Sequence, residues 1–362
     1  MRVLIAGGGT GGHLYPGIAV AREILKRDAA SEITFVGTTR GIEARVIPRE
    51  GFALELIRSG GLKGKSLGAI LRGLGLLPLS GLDAWAVISR RRPSLVIGVG
   101  GYSSGPVVLL AAMRRIPTML LEQNARPGLT NRLLAPVVDA AAVTYQESVP
   151  FFLTKAFVTG NPVRPEFVGG DEEADDTTQQ PPGAARVLVF GGSQGAYAIN
   201  VAMVEAAPRL AAAPAGVAIT HQSGERDLEM VRDGYRRAGL QARVEPFLYA
   251  MDREMRSADV IVCRAGATTL AEIAVAGRAA ILVPLPTATD DHQRGNAEAL
   301  VKHEAAVMVE QRELTGDRLA AEIIGIVTDQ NRRRRMSEAV RRFARPEAAR
   351  LIVDRAMELA AR

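Results

Sequence analysis

Short runs of apolar residues recur along the chain and alternate with longer segments whose apolar residues are spaced as in helices. The clearest runs of the first half cover residues 3–6, 95–99 and 118–121. Such runs, bounded by turn residues, are typical of strands buried in a parallel sheet. Their alternation with helical segments predicts a doubly wound α/β fold.

The first apolar run leads into a glycine-rich loop that ends at His13. Five glycines fall within residues 7–12, and an amphipathic run over 18–25 follows Pro16. We therefore predict a strand, a glycine turn and a helix that begins at Pro16. Backbone N–H groups at the start of a helix favour an anion, and His13 adds a titratable imidazole beside it.

The same loop also fits a dinucleotide-binding fingerprint, since Gly7, Gly9 and Gly12 have the required spacing. An NAD site further needs an acidic residue near the end of the second strand. That strand is predicted at residues 33–36, and no acidic residue follows it before Arg40. Because an arginine tolerates a 2′-phosphate, an NADP-dependent enzyme remains an alternative.

Two later apolar runs end in loops of the same kind. Residues 95–99 lead into 100–106, which hold three glycines, two serines and a tyrosine, and residues 187–190 lead into a glycine loop at 191–196. We interpret the 100–106 loop as a second anion-binding loop, with tight packing of strand on helix as the alternative. Because the second half restarts the opening pattern, two similar domains are expected.

Turn residues and composition indicate where the domains meet. We predict an N-terminal domain at 1–162, an acidic connector without secondary structure at 163–185, and a C-terminal domain at 186–340. A last helix at 341–362 is expected to pack back on the N-terminal domain.

Bulk properties narrow the class of protein. The 362 residues are 47% hydrophobic, which is enough for two cores, and the single cysteine, Cys263, excludes an internal disulfide and fits a reducing compartment. A net charge of +6 favours an anionic partner, while 4% aromatic residues disfavour nucleic acid. The most apolar stretch, 73–89, is interrupted by Pro78 and Asp83, so a cytoplasmic protein is expected.

Two further segments allow two interpretations each. Apolar residues at helical spacing between 67 and 74 lie near Lys63 and Lys65, which suits either a helix resting on a membrane or an ordinary core helix. Thr269 and Glu272 have the spacing of a capping box, but Glu272 would equally suit a carboxylate that accepts from ribose hydroxyls. The arginines at 332–335 are interpreted as a solvated face.

Taken together, these motifs resemble the MurG family of bacterial peptidoglycan glycosyltransferases. The matching stretches are residues 8–13, 100–106, 122–124, 160–164, 191–196, 263–269 with 272–273, and 291–293 with 296–297. They lie in the family's order and cover nearly the whole chain. The chain differs in having His292-Gln293 where the family commonly has paired glutamines, and in its longer acidic connector.

The resemblance implies a GT-B architecture, with two Rossmann-like, doubly wound parallel-sheet domains separated by a cleft. It implies inverting, metal-independent transfer of N-acetylglucosamine from UDP-GlcNAc to the 4-hydroxyl of MurNAc in undecaprenyl-pyrophosphoryl-MurNAc-pentapeptide (lipid I), which gives lipid II. No cofactor is expected. The enzyme would lie peripherally on the anionic cytoplasmic face of the inner membrane, with cell-wall synthesis and division proteins as further partners.

The resemblance also assigns roles to individual residues. His13 would be the catalytic base, or else would hydrogen-bond the loop or bind the acceptor. Donor-binding residues would be Thr10, Gly11, Gly12, Asn124, Arg164, Ser193, Leu248, Ala267, Thr268, Thr269, Leu270, Glu272 and Gln293. Acceptor-binding residues would be Gly9, Gly100, Gly101, Tyr102, Ser103 and Ser104.

Within the donor set, Glu272 would hold the ribose and Leu248 would contact uracil through its backbone. Ser193 and Arg164 would face the diphosphate, and Gln293 would touch the sugar hydroxyls. Besides the NADP enzyme, the alternatives are a related GT-B enzyme with another lipid acceptor, a UDP-GlcNAc epimerase, and a non-catalytic sensor of UDP-GlcNAc.

Overall fold

The computed structural model describes residues 1–39, 41–59, 67–168, 183–192 and 194–361, with the backbone alone at 67–77 and 289. The chain divides into two compact units. The N-terminal unit comprises Met1–Pro165 and Arg345–Arg362, and the C-terminal unit comprises Glu166–Ala344.

The N-terminal unit is a seven-stranded parallel sheet covered by helices. Its strands are β1 Arg2–Gly7, β2 Glu32–Gly37, β3 Ala53–Leu56, β4 Leu95–Gly100, β5 Thr118–Glu122, β6 Ala140–Val143 and β7 Ala156–Val158. Its helices are α1 Gly11–Arg27, α2 Glu43–Arg49, α3 Leu67–Arg91, α4 Ser104–Met113, α5 Leu129–Leu134 and a 3₁₀ segment Gln146–Lys155. The strand order β3-β2-β1-β4-β5-β6-β7 reverses direction between β1 and β4.

Alternate residues of β1 enter two separate cores, because successive side chains of a strand point to opposite faces. Val3 and Ile5 pack with α1 and with the helix Ala348–Ala360 at the end of the chain, whereas Leu4 and Ala6 pack with α3 and α4. Both faces of the sheet are therefore buried, which explains why its strands are continuous apolar runs.

The C-terminal unit repeats this plan with six parallel strands. They are β8 Ala185–Phe190, β9 Val217–Gln222, β10 Ala242–Glu245, β11 Val260–Cys263, β12 Ala279–Leu282 and β13 Val307–Met308, in the order β10-β9-β8-β11-β12-β13. Its helices are α7 Tyr197–Ala211, α8 Leu228–Arg237, α9 Met251–Ser257, α10 Ala267–Ala276, α11 His292–Val301, α12 Gly316–Val327 and α13 Gln330–Arg341, with 3₁₀ turns at Thr289–Asp291 and Gln311–Glu313. The short helix α6, Pro165–Val168, joins the units, and Ala348–Ala360 is α14.

Two sequence predictions about helices need correction or restriction. Helix α1 begins at Gly11 and not at Pro16, so His13 lies in its first turn. Of the predicted membrane-facing stretch, Lys63 to Leu79, residues 63–66 lie outside the described residues and residues 67–77 are described by their backbone alone. The backbone of α3 runs without interruption through Pro78. None of the described helices is long and apolar enough to cross a membrane.

Candidate functional site

The two glycine loops of the N-terminal unit meet at the point where its strand order reverses. Gly7 and Gly100 are register partners at the ends of β1 and β4, and the Gly8 N–H donates to the Gly100 carbonyl at 3.3 Å. Ligands of open α/β sheets bind at this reversal point, outside the carboxyl ends of the strands. The fold thus brings together the two loops that the sequence predicted to bind anions.

A buried carboxylate supports the first of these loops. Glu43, which is 1% exposed, accepts from the Gly9 N–H at 2.8 Å and from the Thr38 backbone and hydroxyl at 2.9 and 3.1 Å. A Cβ at Gly8 would lie 2.5 Å from this carboxyl group. Because the N–H groups of Gly8 and Gly9 are already engaged, an anion would have to use the start of α1. Any hydrogen bond from Gly9 to the acceptor substrate would therefore have to be made by the Gly9 carbonyl oxygen.

The second loop presents less polar surface than the sequence suggested. Ser103 and Ser104 are 2% and 0% exposed, and the Ser104 hydroxyl faces Gly98, where a Cβ would lie 2.6 Å from it. Neither hydroxyl points to solvent, so a ligand contact from either serine would have to be made by its backbone. Tyr102, at 43% exposed, is the accessible side chain of this loop.

His13 lies between the two loops and is oriented from a third strand. Its Nδ1 lies 3.0 Å from Oε1 of Gln123, which follows β5. Gly100 leaves space for the ring, since a Cβ there would lie 2.9 Å from Nδ1. The ring is thus held at the reversal point, with its Nε2 edge bonded to none of the described residues.

The neighbouring carboxylate, Glu122, holds the loop that follows β5. It is 2% exposed and accepts from the backbone and side-chain amide of Asn124 at 3.0 and 3.1 Å. Its other oxygen accepts from Gly128 and Asn131. Glu122 therefore positions Asn124, while the predicted contact between Asn124 and the sugar stays a prediction.

Three further predicted donor residues belong to the start of α1, and a fourth lies beside that helix. Thr10 is exposed and precedes α1, and Gly11 and Gly12 form its first residues. The Arg164 guanidinium lies over the ring of Tyr15 at 6.0 Å. The predicted contacts of these residues with the donor stay predictions.

In the C-terminal unit the equivalent reversal lies between β8 and β11. Phe190 and Cys263 are register partners at the strand ends, so the residues that follow them, 191–192 and 264–266, leave the sheet at the same edge. Ser193 lies outside the described residues. The loop packs tightly on the turn after β9, because Gly195 has φ +73° and a Cβ there would overlap the Ser223 carbonyl oxygen.

Gln222, at the end of β9, connects two predicted parts of the donor site. Its side chain is 2% exposed, donates to the Gly192 carbonyl at 2.8 Å and accepts from the Leu248 N–H at 2.8 Å. Since the Leu248 N–H is engaged, any backbone contact from Leu248 to a base would use its carbonyl. Gln222 was not among the residues predicted from the sequence, although a polar residue that closes a buried strand is a visible signal.

A buried polar network supports the turn that follows Gln222. Asn200 donates to the Ser223 carbonyl and to Asp227, both at 2.9 Å, and its oxygen faces Nε2 of His221 at 3.0 Å. Nδ1 of His221 accepts from the Tyr235 hydroxyl at 2.7 Å. Burial lowers the pKa of His221 to about 3, so the ring is neutral at physiological pH.

Of the two interpretations offered for Thr269 and Glu272, the capping box is wrong. The N-cap of α10 is Gly266, so Thr269 is the third residue of the helix and Glu272 lies in its second turn, 5% exposed. Ala267 and Leu270 are buried, whereas Thr268 and Thr269 are half-buried. The backbone N–H groups at the start of α10 thus lie at the carboxyl end of β11, where an anion is favoured.

Gln293 lies in the first turn of α11, and its side-chain amide oxygen, Oε1, accepts from the Leu285 N–H at 2.9 Å. Its amide NH₂ group therefore faces away from that bond and can donate to hydroxyls.

Burial raises the pKa of the Cys263 thiol, which stays neutral. In the described part of the chain, no three His, Cys, Asp or Glu side chains are grouped as metal ligands.

The arginine run is solvated in part: Arg334 and Arg335 are exposed, whereas Arg332 and Arg333 are half-buried and form ion pairs with other elements. Arg332 pairs with Glu322 at 3.2 Å, Arg333 with Asp259 at 3.6 Å, and Arg334 with Glu338. The first two pairs thus tie the start of α13 to α12 and to the residue before β11.

Comparisons with known proteins agree with this architecture. Residues 3–143 match the glycosyltransferase family 28 N-terminal domain, and residues 186–352 match the glycosyltransferase family 28 C-terminal domain. Curated relatives named UDP-N-acetylglucosamine--N-acetylmuramyl-(pentapeptide) pyrophosphoryl-undecaprenol N-acetylglucosamine transferase align along nearly their whole length. The one from Anaeromyxobacter sp. (strain K) is 49% identical over 100% of this chain and 94% of the relative, and the one from Geotalea daltonii is 47% identical over 98% and 96%.

Solved structures give the same result for the fold. The crystal structure of Acinetobacter baumannii MurG matches with a TM-score of 0.79 and 28% identity over 99% of both chains. The calicheamicin glycosyltransferase CalG4 matches with a TM-score of 0.70 at 15% identity, over 100% of this chain and 98% of that one, which bears on the fold alone. The expected GT-B class, with two doubly wound parallel-sheet units, is confirmed.

Proposed function

Because the chain belongs to glycosyltransferase family 28, and within it to the MurG family, we propose that it transfers N-acetylglucosamine from UDP-GlcNAc to lipid I. The acceptor atom is the 4-hydroxyl oxygen of MurNAc in undecaprenyl-pyrophosphoryl-MurNAc-pentapeptide. The products are lipid II and UDP, so the reaction belongs to peptidoglycan synthesis.

The observation that carries this proposal is the duplicated anion-binding arrangement. Each unit places a glycine loop and the start of a helix at the reversal point of its own sheet. A sugar nucleotide and a lipid pyrophosphate both carry a diphosphate, and each unit offers one such site.

In the C-terminal unit, the structure supports a donor site built on the loop at 191–196, the start of α10 and Glu272. Glu272 is buried enough to make a strong charge-assisted hydrogen bond to a ribose hydroxyl. Helix N–H groups at α10 stabilise the charge that grows on UDP as it leaves. Gln293, oriented by Leu285, donates to hydroxyls of the sugar.

In the N-terminal unit, the acceptor pyrophosphate is bound at the start of α1 and along the loop that carries Tyr102. The 4-hydroxyl oxygen attacks C1 of the sugar, and the bond from C1 to the β-phosphate oxygen breaks. The hydroxyl proton moves to Nε2 of His13, and UDP leaves with the bonding electrons. Attack opposite the leaving group inverts the configuration at C1. These steps use neither a metal nor a cofactor.

The enzyme reaches its lipid substrate by resting on an anionic membrane surface. Leu82 and Trp85 on α3 are 64% and 53% exposed, and Leu109 and Met113 on α4 are 43% and 71% exposed. The Arg114 guanidinium lies 4.7 Å from the Trp85 ring and joins the two helices. Exposed apolar side chains beside a cation suit peripheral binding to acidic lipid.

The direct test is transfer of radiolabel from UDP-[¹⁴C]GlcNAc to a lipid I analogue, followed by separation of the lipid product. We expect labelled lipid II, with equal rates with and without EDTA. Label released as free sugar, an epimerised nucleotide sugar, or UDP-GlcNAc binding without any turnover would contradict the proposal.

A further inference from the structure

The side chain that follows β5, Gln123, has a hydrogen-bonding arrangement that determines the state of the His13 ring. Its Nε2 lies 3.3 Å from the Val99 carbonyl oxygen and its Oε1 lies 3.0 Å from Nδ1 of His13. It is 2% exposed and makes no further hydrogen bond with the described residues.

The direction of each bond follows from the chemistry of its partners. A peptide carbonyl can only accept, so the Gln123 group that faces Val99 is the NH₂ group. The group that faces His13 is then the amide oxygen, which also can only accept. Nδ1 of His13 must therefore carry a hydrogen, and in the neutral ring Nε2 holds the lone pair.

From this geometry we infer that Gln123 is a positioning residue, which holds His13 in the Nδ1–H tautomer so that Nε2 can take a proton. The inference rests on the proposed function, since it concerns the base of that reaction. Gln123 does not touch the substrates. It acts through the imidazole ring by fixing its tautomer and its orientation.

The surroundings of the ring support this role. Gly100 has no side chain where the ring lies, so the ring packs directly against the second glycine loop. The two carboxylates that hold the neighbouring loops, Glu43 and Glu122, are each engaged with backbone and amide donors. An amide rather than a carboxylate therefore orients this histidine.

The decisive measurement is ¹⁵N NMR of histidine-labelled protein at a pH where the rings are neutral. The chain has four histidines, and the His13 signals are assigned by their loss in His13→Gln. We expect a protonated Nδ1 and an unprotonated Nε2 for His13. His221 serves as the internal reference for the opposite tautomer, because its Nε2 faces the Asn200 oxygen and its Nδ1 accepts from Tyr235. A protonated Nε2 on His13 overturns the inference.

Kinetics test whether the tautomer matters. Gln123→Met removes the acceptor, and we expect kcat to fall about tenfold, as the loss of one ordinary hydrogen bond predicts, with the KM for UDP-GlcNAc within twofold. Gln123→Glu keeps an acceptor for Nδ1–H but adds a charge that favours the imidazolium. We expect its kcat to lie between those of Gln123→Met and the wild type. The acid limb of its profile of kcat against pH should move to higher pH by about one pH unit.

Controls separate this inference from the proposed function. His303→Gln, a matched change at an exposed histidine, should leave activity unchanged. If His13→Gln is as active as the wild type, the proposed base is wrong. If His13→Gln is inactive but both Gln123 variants keep the wild-type kcat, pH profile and tautomer, the inference on Gln123 is wrong while the function stands.

Discussion

Gln222 offers a sharp test of how the donor site is assembled. Gln222→Met keeps the volume of the side chain but removes both of its hydrogen bonds. The Leu248 N–H is then left buried without an acceptor, which costs about 1–3 kcal/mol, whereas the exposed Gly192 carbonyl is rehydrated at about 0.5–1.5 kcal/mol. The unfolding free energy of the variant should therefore drop by about 1.5–4.5 kcal/mol.

The effect on ligand binding should exceed the effect expected from stability alone. Gln222 holds the loop that contains Gly192 at a fixed separation from Leu248, so its loss lets the two predicted ends of the uridine diphosphate site move independently. We expect the Kd for UDP to rise at least tenfold, and the Kd for uridine to rise less, because uridine does not need the loop.

Isothermal titration calorimetry with UDP and uridine, together with urea unfolding, measures both effects. Gln222→Glu is the matched variant, since it keeps the acceptor for Leu248 and loses the donor to Gly192. Gln241→Met, at an exposed glutamine, is the control and should behave as the wild type. If Gln222→Met binds UDP normally and loses less than about 0.5 kcal/mol of stability, Gln222 does not couple the two segments.

Three further predictions concern other parts of the molecule. Glu272→Ala should weaken UDP binding at least tenfold while leaving vesicle binding intact, and unchanged calorimetric UDP affinity would refute the ribose role. Binding to phosphatidylglycerol vesicles should shift the fluorescence emission of Trp85, the chain's one tryptophan, to the blue. Met113→Ser should weaken vesicle binding and the control Val301→Ser should not, so equal vesicle binding by both variants would argue against the proposed membrane surface. Because the folded pKa of His221 is about 3 and its unfolded value is near 6.5, stability should fall as pH drops from 6.5 towards 3, by up to about 1.4 kcal/mol per pH unit. When the unfolding free energy is measured by urea at pH 7, 6 and 5, His221→Gln should lack this decrease with falling pH. An equal pH dependence of the wild type and the variant would contradict the prediction.

The sequence by itself determined the strand, glycine turn and helix units and their duplication. These features depend on neighbouring residues, since an apolar run such as 187–190 and the glycines that follow it lie within ten positions of one another. The periodicity that distinguishes a buried strand from a helix is likewise local. The family resemblance came from the same short motifs and from their order.

Element boundaries were less accessible from the sequence, because residues of weak preference can extend a helix once its first turn packs. Helix α1 begins at Gly11 even though Pro16 is the stronger local start signal. At α10, the capping-box spacing of Thr269 and Glu272 was met by chance, and the helix begins earlier, after Gly266.

Only the tertiary structure decided how polar side chains are paired within each unit. Gln123 reaches His13 across 110 positions of the chain, Glu43 reaches Gly9 across 34, and Gln222 reaches Gly192 across 30. The pattern of a strand end shows that a polar residue lies near the ligand edge of a sheet, but not which partner it meets. The partners are chosen by strand order and by the requirement that buried polar groups be hydrogen-bonded, and both are properties of the folded chain.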